Sequence, residues 1–245
     1  MPADLCGEIE FEFVVPPENV SRANIEANHK LGLKQSCDDA SVLRIIANGP
    51  SSLDAPLDGP TLALNGAYNL FMNSGRFPTM WAACDPQGLV ADFLPDTLSP
   101  ETLYLPASKC DPKVFAKLEG LNKRIWDVAD YVTTGRPVYC ASSITSCSIG
   151  LMVQRGWTRF EVWGWDCCFL DGRHHAHEQQ GVGVETIEIE CDGRRFVTTR
   201  TWLAEALDVA NKLKPVFDYM GLEIVLKGDG FLKHFLNGSN AVLQP

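Results

Sequence analysis

The sequence predicts an α/β fold: a Rossmann-like, mostly parallel sheet with helices on both faces and a C-terminal antiparallel hairpin. Three observations predict it. Short apolar runs of strand length alternate with helix-like segments between residues 42 and 163, which is the pattern of parallel βαβ units. Polar, glycine-bearing corners recur along the chain at Asn48-Gly49-Pro50-Ser51, Asn65-Gly66-Ala67-Tyr68, Ser142 to Gly150 and Gly164-Trp165-Asp166, each following an apolar run. An open α/β sheet gathers its ligand site at such strand ends. Past Asp166 the pattern changes to two alternating runs, Gly183 to Glu190 and Arg195 to Thr199, separated by Cys191-Asp192-Gly193. Asp-Gly between alternating runs is a hairpin signal.

Taken in order, residues 1–40 read as an N-terminal appendage. They hold an acidic strand-like piece, Glu8 to Val15, and a helix-like piece from Ser21 to Leu33 that follows Pro16-Pro17, with Asn19 to Ser21 as its cap and Gly32 as its stop. Residues 41–245 form the Rossmann-like nucleotide-binding domain. Its first strand, Val42 to Ala47, is compact and rich in β-branched residues. Strand and helix then alternate: Thr61 to Leu64, Ala67 to Asn73, Met80 to Cys84, Leu103 to Pro106, Lys113 to Leu118, Arg124 to Trp126, Pro137 to Cys140, Ser146 to Arg155 and Phe160 to Trp163. After the hairpin a long helix carries apolar residues at Leu203, Leu207, Val209, Leu213 and Phe217, with Thr201 as its cap and Gly221 as its C-terminal stop. A strand, Glu223 to Leu226, a turn at Gly228-Asp229-Gly230 and a short helix from Phe231 to Leu236 close the chain.

Composition narrows the function. Apolar residues are 45% of the 245, so the chain can bury a core, and no apolar run approaches the roughly 18 residues that span a bilayer. The N-terminus lacks the charged and apolar parts of a secretory signal, so a soluble, cytoplasmic protein is expected. Nine cysteines without small-scaffold spacing read as mostly reduced, buried thiols with no disulfide framework. A net charge of −10 argues against duplex nucleic acid as partner, because that affinity comes from basic contacts with phosphates. A nucleotide remains compatible, since backbone N–H groups at a helix start hold phosphate without a basic surface. Composition leaves the oligomeric state open.

The corners supply the candidate site. At Asn48, Gly49, Pro50 and Ser51, glycine lets the backbone approach a ligand, proline fixes the turn, and the amide and hydroxyl offer hydrogen bonds to ribose or phosphate. The corner is neither a phosphate-binding Walker loop nor a three-glycine dinucleotide fingerprint, and an ordinary turn would read similarly. Asn65, Gly66 and Tyr68 repeat the arrangement, with the tyrosine able to stack or donate its hydroxyl. Asp85, before Pro86, is either a metal or hydroxyl ligand or a turn opener. Ser142, Thr145 and Ser146 open a helix densely set with hydroxyls; with Thr145 or Ser146 as cap, the free N–H groups there form an anion seat. Asp166, followed by Arg173, His174, His175 and His177 in a glycine-bearing loop, combines residue types used for proton transfer and metal binding.

On these residues the chain resembles the 6-hydroxymethylpterin diphosphokinase-like (MptE-like) Rossmann family. The order of Asn-Gly-Pro-Ser turn, Asn-Gly-x-Tyr strand end, Thr-Ser helix start and Gly-x-Asp is also similar to that of a bacterial sialyltransferase family, over roughly Leu43 to His177. The resemblance implies a nucleotide held by Asn48, Gly49, Ser51 and Asn65, phosphates near Ser142 to Ser146, and Asp166 bordering a hydroxyl-bearing small-molecule or glycan acceptor. In the diphosphokinase-like reading, which leads, a metal such as Mg at Asp85 or Asp166 bridges ATP phosphates for transfer to a hydroxyl. In the sialyltransferase-like reading a sugar nucleotide is the donor and His175 or His177 deprotonates the acceptor. The departure from a triphosphate site is the scarcity of basic residues near the first two corners. A third reading is a binding or assembly protein that keeps the fold without catalysis.

Overall fold

The computed structural model describes residues 42–129, 138, 143–176, 185–238 and 241–243, so the expected appendage, with Ser142 and His177, lies outside the described residues. Nine strands are described: β1 Leu43–Ile46, β2 Thr61–Leu64, β3 Met80–Ala83, β4 Leu103–Pro106, β5 Arg159–Trp163, β6 Ile187–Cys191, β7 Arg194–Thr198, β8 Glu223–Leu226 and β9 Ala241–Leu243. The helices are α1 Tyr68–Asn73, α2 Leu89–Asp92, α3 Pro112–Lys117, α4 Ile144–Val153, α5 Arg200–Asp208, α6 Lys214–Tyr219 and α7 Phe231–Leu236. None of them is long and apolar enough to cross a membrane.

Six strands form one parallel sheet in the order β4-β3-β2-β1-β5-β8. The chain lays down β1 to β4 in one direction, returns to the middle, and lays down β5 and β8 in the other. Right-handed crossovers in opposite directions put their helices on opposite faces, which is the expected doubly wound class. β2 and β3 are buried at all four positions, and the core cluster runs from Leu43 and Ile45 through Trp81 and Tyr104 to Phe160. Strands covered on both sides read as continuous apolar runs rather than alternation.

The hairpin forms as predicted, β6 with β7, and turns on two residues with positive φ, Asp192 at 59° and Gly193 at 70°. That geometry matches strand twist and suits Asp-Gly. β9 joins β6 to make a three-stranded antiparallel sheet.

Several expectations change. Residues 124–126 form no strand and make one isolated bridge, Trp126 with Ala107. Of the run expected at residues 137–140 only Val138 is described, as a bridge to Val128. α4 is capped by Ser143, whose hydroxyl accepts from Ser146 N–H while Ser146 Oγ reaches back, so neither Thr145 nor Ser146 is the cap. α5 is capped by Thr199 rather than Thr201, its hydroxyl accepting from Trp202 N–H at 3.1 Å. Each cap lies two or three residues before the predicted one, because the hydroxyl that leaves the strand in extended backbone reaches the helix first.

The long helix is not uniform. Pro215 has no N–H for the carbonyl one turn back, and Val209–Leu213 widens into a π-turn in which Lys214 N–H bonds Val209 O. Gly221, at φ 68°, ends the helix as expected, with Leu222 N–H on Phe217 O. Cys84, Cys110, Cys167, Cys168 and Cys191 are buried thiols, as the composition suggests; Cys147 departs from that reading and is disulfide-bonded.

Candidate functional site

The site grows from the point where the sheet reverses direction. β1 and β5 are adjacent and parallel, with Ile46 opposite Trp163, and beyond them the chain diverges to opposite faces. A crevice outside such a pair is where open α/β sheets bind ligands. The backbones stay in contact past the strand ends: Ala47 N–H donates to Trp163 O at 2.8 Å and Gly49 N–H to Gly164 O at 2.9 Å.

That contact explains the glycines. A Cβ on Gly49 would lie 2.4 Å from Gly164 O and 2.5 Å from Asp166 Oδ2, and one on Gly164, which has φ +74°, would lie 2.6 Å from Ala47 O. Gly228 and Gly230, in the turn after β8, approach from behind, where added Cβ atoms would meet Ser51 and the backbone of Asp166. Pro50 opens the short 3-10 turn Pro50–Asp54 and Ser52 Oγ donates to Gly49 O at 2.7 Å, which fixes the corner. Ser51 N–H donates to Asp166 Oδ2 at 2.9 Å, and Ser51 Oγ accepts from Gly164 N–H at 2.9 Å. Cys167, directly after Asp166, takes φ 52°, an uncommon conformation for a residue with a side chain, with its carbonyl held by Thr198 Oγ1.

Between these corners lies a cavity of about 130 Å³. Asn48, Gly49, Thr145, Asp166 and His175, five of the residues predicted from sequence, line it together. Ala176 N–H donates to Asn48 O at 2.8 Å and ties the histidine loop to the end of β1. One wall is aromatic: His174 stacks on His175 with centroids 4.6 Å apart and on Phe169 at 5.8 Å, and Trp202 meets Phe169 at 5.4 Å. The N-terminal turn of α4, with Ser143 and Thr145, forms another. No lysine or arginine is among the described residues that line it.

Two carboxylates face this space. Asp166 is 3% exposed, and burial raises its pKa above the usual aspartate range although the Ser51 hydrogen bonds pull it down. Glu205, on α5, accepts from Trp165 Nε1 at 2.7 Å; burial raises its pKa too, against the lowering effect of Ser143 and Trp165. Sequence reading missed Glu205. The signal was there, because it sits one helical turn from Trp202 and from Val209 on the buried stripe, where a carboxylate is out of place. Asn48 Oδ1 and Asp166 Oδ1 are both buried with no hydrogen-bond partner among the described residues. Buried acceptors are normally satisfied, so this pair is open to donors that the described residues do not supply.

Other predicted residues lie elsewhere. Ser51 stands behind Asp166, and Ser146 is occupied in the α4 cap. Asn65, at φ 47°, follows Leu64, which does line the cavity, but Asn65 and Gly66 are not part of its lining. Asn65 Oδ1 is buried and unpartnered while its carbonyl accepts from Trp81 Nε1 at 2.9 Å. Tyr68 is fully buried, with its hydroxyl 3.0 Å from that of Tyr104 and accepting from Ser99 N–H. Asp85 accepts from Gln87 N–H at 2.9 Å and shapes its own turn, away from the cavity. Among the described residues no group of three or more His, Cys, Asp or Glu is placed to hold a metal ion. A larger cavity, about 340 Å³, lies on the other side of Trp165; it is mostly apolar and lacks the carboxylate and imidazole set.

The fold is that of a Rossmann-like α/β protein with its crevice at the reversal of strand order. Among solved structures it is similar to the MAf glycosyltransferase from Magnetospirillum magneticum AMB-1, with TM-score 0.60 and 13% identity over 85% of this chain. The match covers 37% of that larger protein. No protein-family model and no curated protein sequence matches the chain.

Proposed function

We propose that the cavity holds the nucleoside part of an activated sugar and that the protein is a glycosyltransferase acting on a hydroxyl-bearing acceptor. The single observation that carries this is that Asn48 and Asp166, whose buried Oδ1 atoms have no hydrogen-bond partner among the described residues, line one cavity whose described lining has no lysine or arginine. Such a lining suits a ligand that brings hydroxyl or amino donors, as ribose does, better than the bare triphosphate of ATP. The fold shared with a protein described as a glycosyltransferase supports the sugar-nucleotide donor over the diphosphokinase-like reading.

In this reading the aromatic wall of His174, His175 and Trp202 flanks the base or the sugar, and the first turn of α4, at Ile144 and Thr145, turns its backbone N–H groups to the phosphate. His175 takes the proton of the acceptor hydroxyl as its oxygen bonds the anomeric carbon and the bond to the nucleotide phosphate breaks. The described residues supply no cluster that fits a resident metal, so no step is routed through magnesium.

Calorimetry and thermal unfolding with CMP, UDP, GDP, their sugar conjugates and ATP, each with and without magnesium, test the reading. A sugar nucleotide or its nucleotide product raises the melting temperature by mass action, and Asn48→Ala removes the shift. Stabilisation by ATP with magnesium alone restores the diphosphokinase-like reading, and no response to any nucleotide leaves the non-catalytic one.

A further inference from the structure

We propose that β8 is a self-pairing edge, along which two copies of this chain join antiparallel about a two-fold axis at Val225 to make one continuous sheet. β8 pairs with β5 on one side, and no described strand pairs its other side. Glu223 N–H donates to Thr158 O and Lys227 N–H to Val162 O, so the odd-numbered residues spend their backbone groups on β5. Alternation along the strand turns those of Ile224 and Leu226 outward.

The sequence fits its own reverse. An antiparallel copy centred on Val225 sets Ile224 opposite Leu226 of the second copy and Leu226 opposite its Ile224, so both outward-facing residues complete hydrogen-bonded pairs. The same register sets Glu223 opposite Lys227 of the second copy, on both sides of the axis. Sliding by two residues sets these charges against Val225 instead. Within the chain Glu223 bonds Arg159 at 2.8 Å and Lys227 bonds Glu161 at 3.0 Å. The paired edge therefore continues an alternation of sign across the axis, from Arg159 to Glu223 to Lys227 of the second copy.

α6 shares a cavity with β8, and apolar side chains lie among charged ones such as Lys214 and Asp218 there. Val216, Tyr219, Met220 and Val225 are 50%, 93%, 49% and 40% exposed, half of the large exposed hydrophobic side chains among the described residues. Natural sheets protect an open edge or use it.

Light scattering on the chain measures the mass. The expected result is twice 27.0 kDa, reverting to 27.0 kDa in Val225→Lys, which sets two like charges on the axis while its circular dichroism stays that of the folded chain. Val225→Cys cross-links into a dimer under mild oxidation, whereas Leu89→Cys, at another exposed apolar position, does not. A monomeric mass for the unmodified chain, a dimer that survives Val225→Lys, or equal cross-linking of the two cysteine variants overturns the proposal.

Discussion

Ser51 and Asp166 are 115 residues apart in sequence, yet the backbone N–H of one donates to Oδ2 of the other at 2.9 Å, which locks the corner after β1 to the corner after β5. The second carboxylate oxygen of Asp166 is buried and has no partner among the described residues. One residue thus holds the crevice together and lines its cavity.

Asp166→Asn separates the two roles. Its amide oxygen keeps the Ser51 bond while its NH2 replaces the unpartnered acceptor with a donor. Stability should change by less than about 1 kcal/mol, whereas nucleotide affinity falls about tenfold or more, the equivalent of about 1.4 kcal/mol. Asp166→Ala leaves Ser51 N–H without an acceptor and costs about 1–3 kcal/mol of stability. Urea unfolding and calorimetric titration of the two variants distinguish these outcomes.

The glycines of the crevice should resist a methyl group far more than a glycine in open space. Gly75 and Gly164 both have positive φ, at 68° and 74°, but a Cβ meets nothing within 4 Å at Gly75 and backbone at 2.6 Å at Gly164. Gly75→Ala is expected to cost about 1–2 kcal/mol, from conformation alone. Gly164→Ala adds about 1–3 kcal/mol for the collision. Equal losses in urea unfolding would show that the close approach of the two corners is wrong.

Tyr68 is expected to matter for stability and not for ligand binding. Removing its hydroxyl in Tyr68→Phe leaves Ser99 N–H and Tyr104 OH each short of a buried partner. The cost is about 1–3 kcal/mol, read by thermal unfolding, while the shift in melting temperature produced by a bound nucleotide is unchanged.

Glu205 sets a pH dependence of definite sign. Burial raises its pKa in the folded state above the usual 4.5, so the folded protein holds this proton more tightly than the unfolded chain. Stability from this group is greatest at low pH and declines as pH rises above 4.5, because the carboxyl must ionise in a buried place. Glu205→Gln keeps an acceptor for Trp165 Nε1 and cannot ionise. Its melting temperature relative to the unsubstituted protein should climb between pH 4 and pH 8, a trend opposite to the one that removing a carboxylate of lowered pKa, such as Asp229, would give. A difference independent of pH would mean that Glu205 is already accommodated as an anion.

Much of the fold was legible because it is written in local patterns. The bounds of β2 and β4 follow directly from apolar runs flanked by turn residues, and the hairpin follows from Asp192-Gly193, the residues that tolerate its positive φ. The strand expected at Arg124 to Trp126 failed for a physical reason: a short apolar run becomes a strand only if a neighbour offers a full ladder, and there the neighbours supply single bridges. Caps were misplaced by two or three residues where several hydroxyls compete for one helix start.

The site divides along the same line. Sequence by itself determined that polar corners at Asn48 and Asp166 stand at strand ends, since an apolar run followed by Asn-Gly-Pro or Gly-Trp-Asp can be read without coordinates. Tertiary structure alone decided which corners meet. The order β2-β1-β5 makes Asn48 and Asp166 neighbours, while Tyr68 turns into the core and Asp85 stays on its own turn. It also brought Glu205 from a later helix to the cavity that Asp166 lines. Strand order is fixed by crossovers that bury the most apolar surface over long sequence separations, and no local pattern of residues encodes that choice.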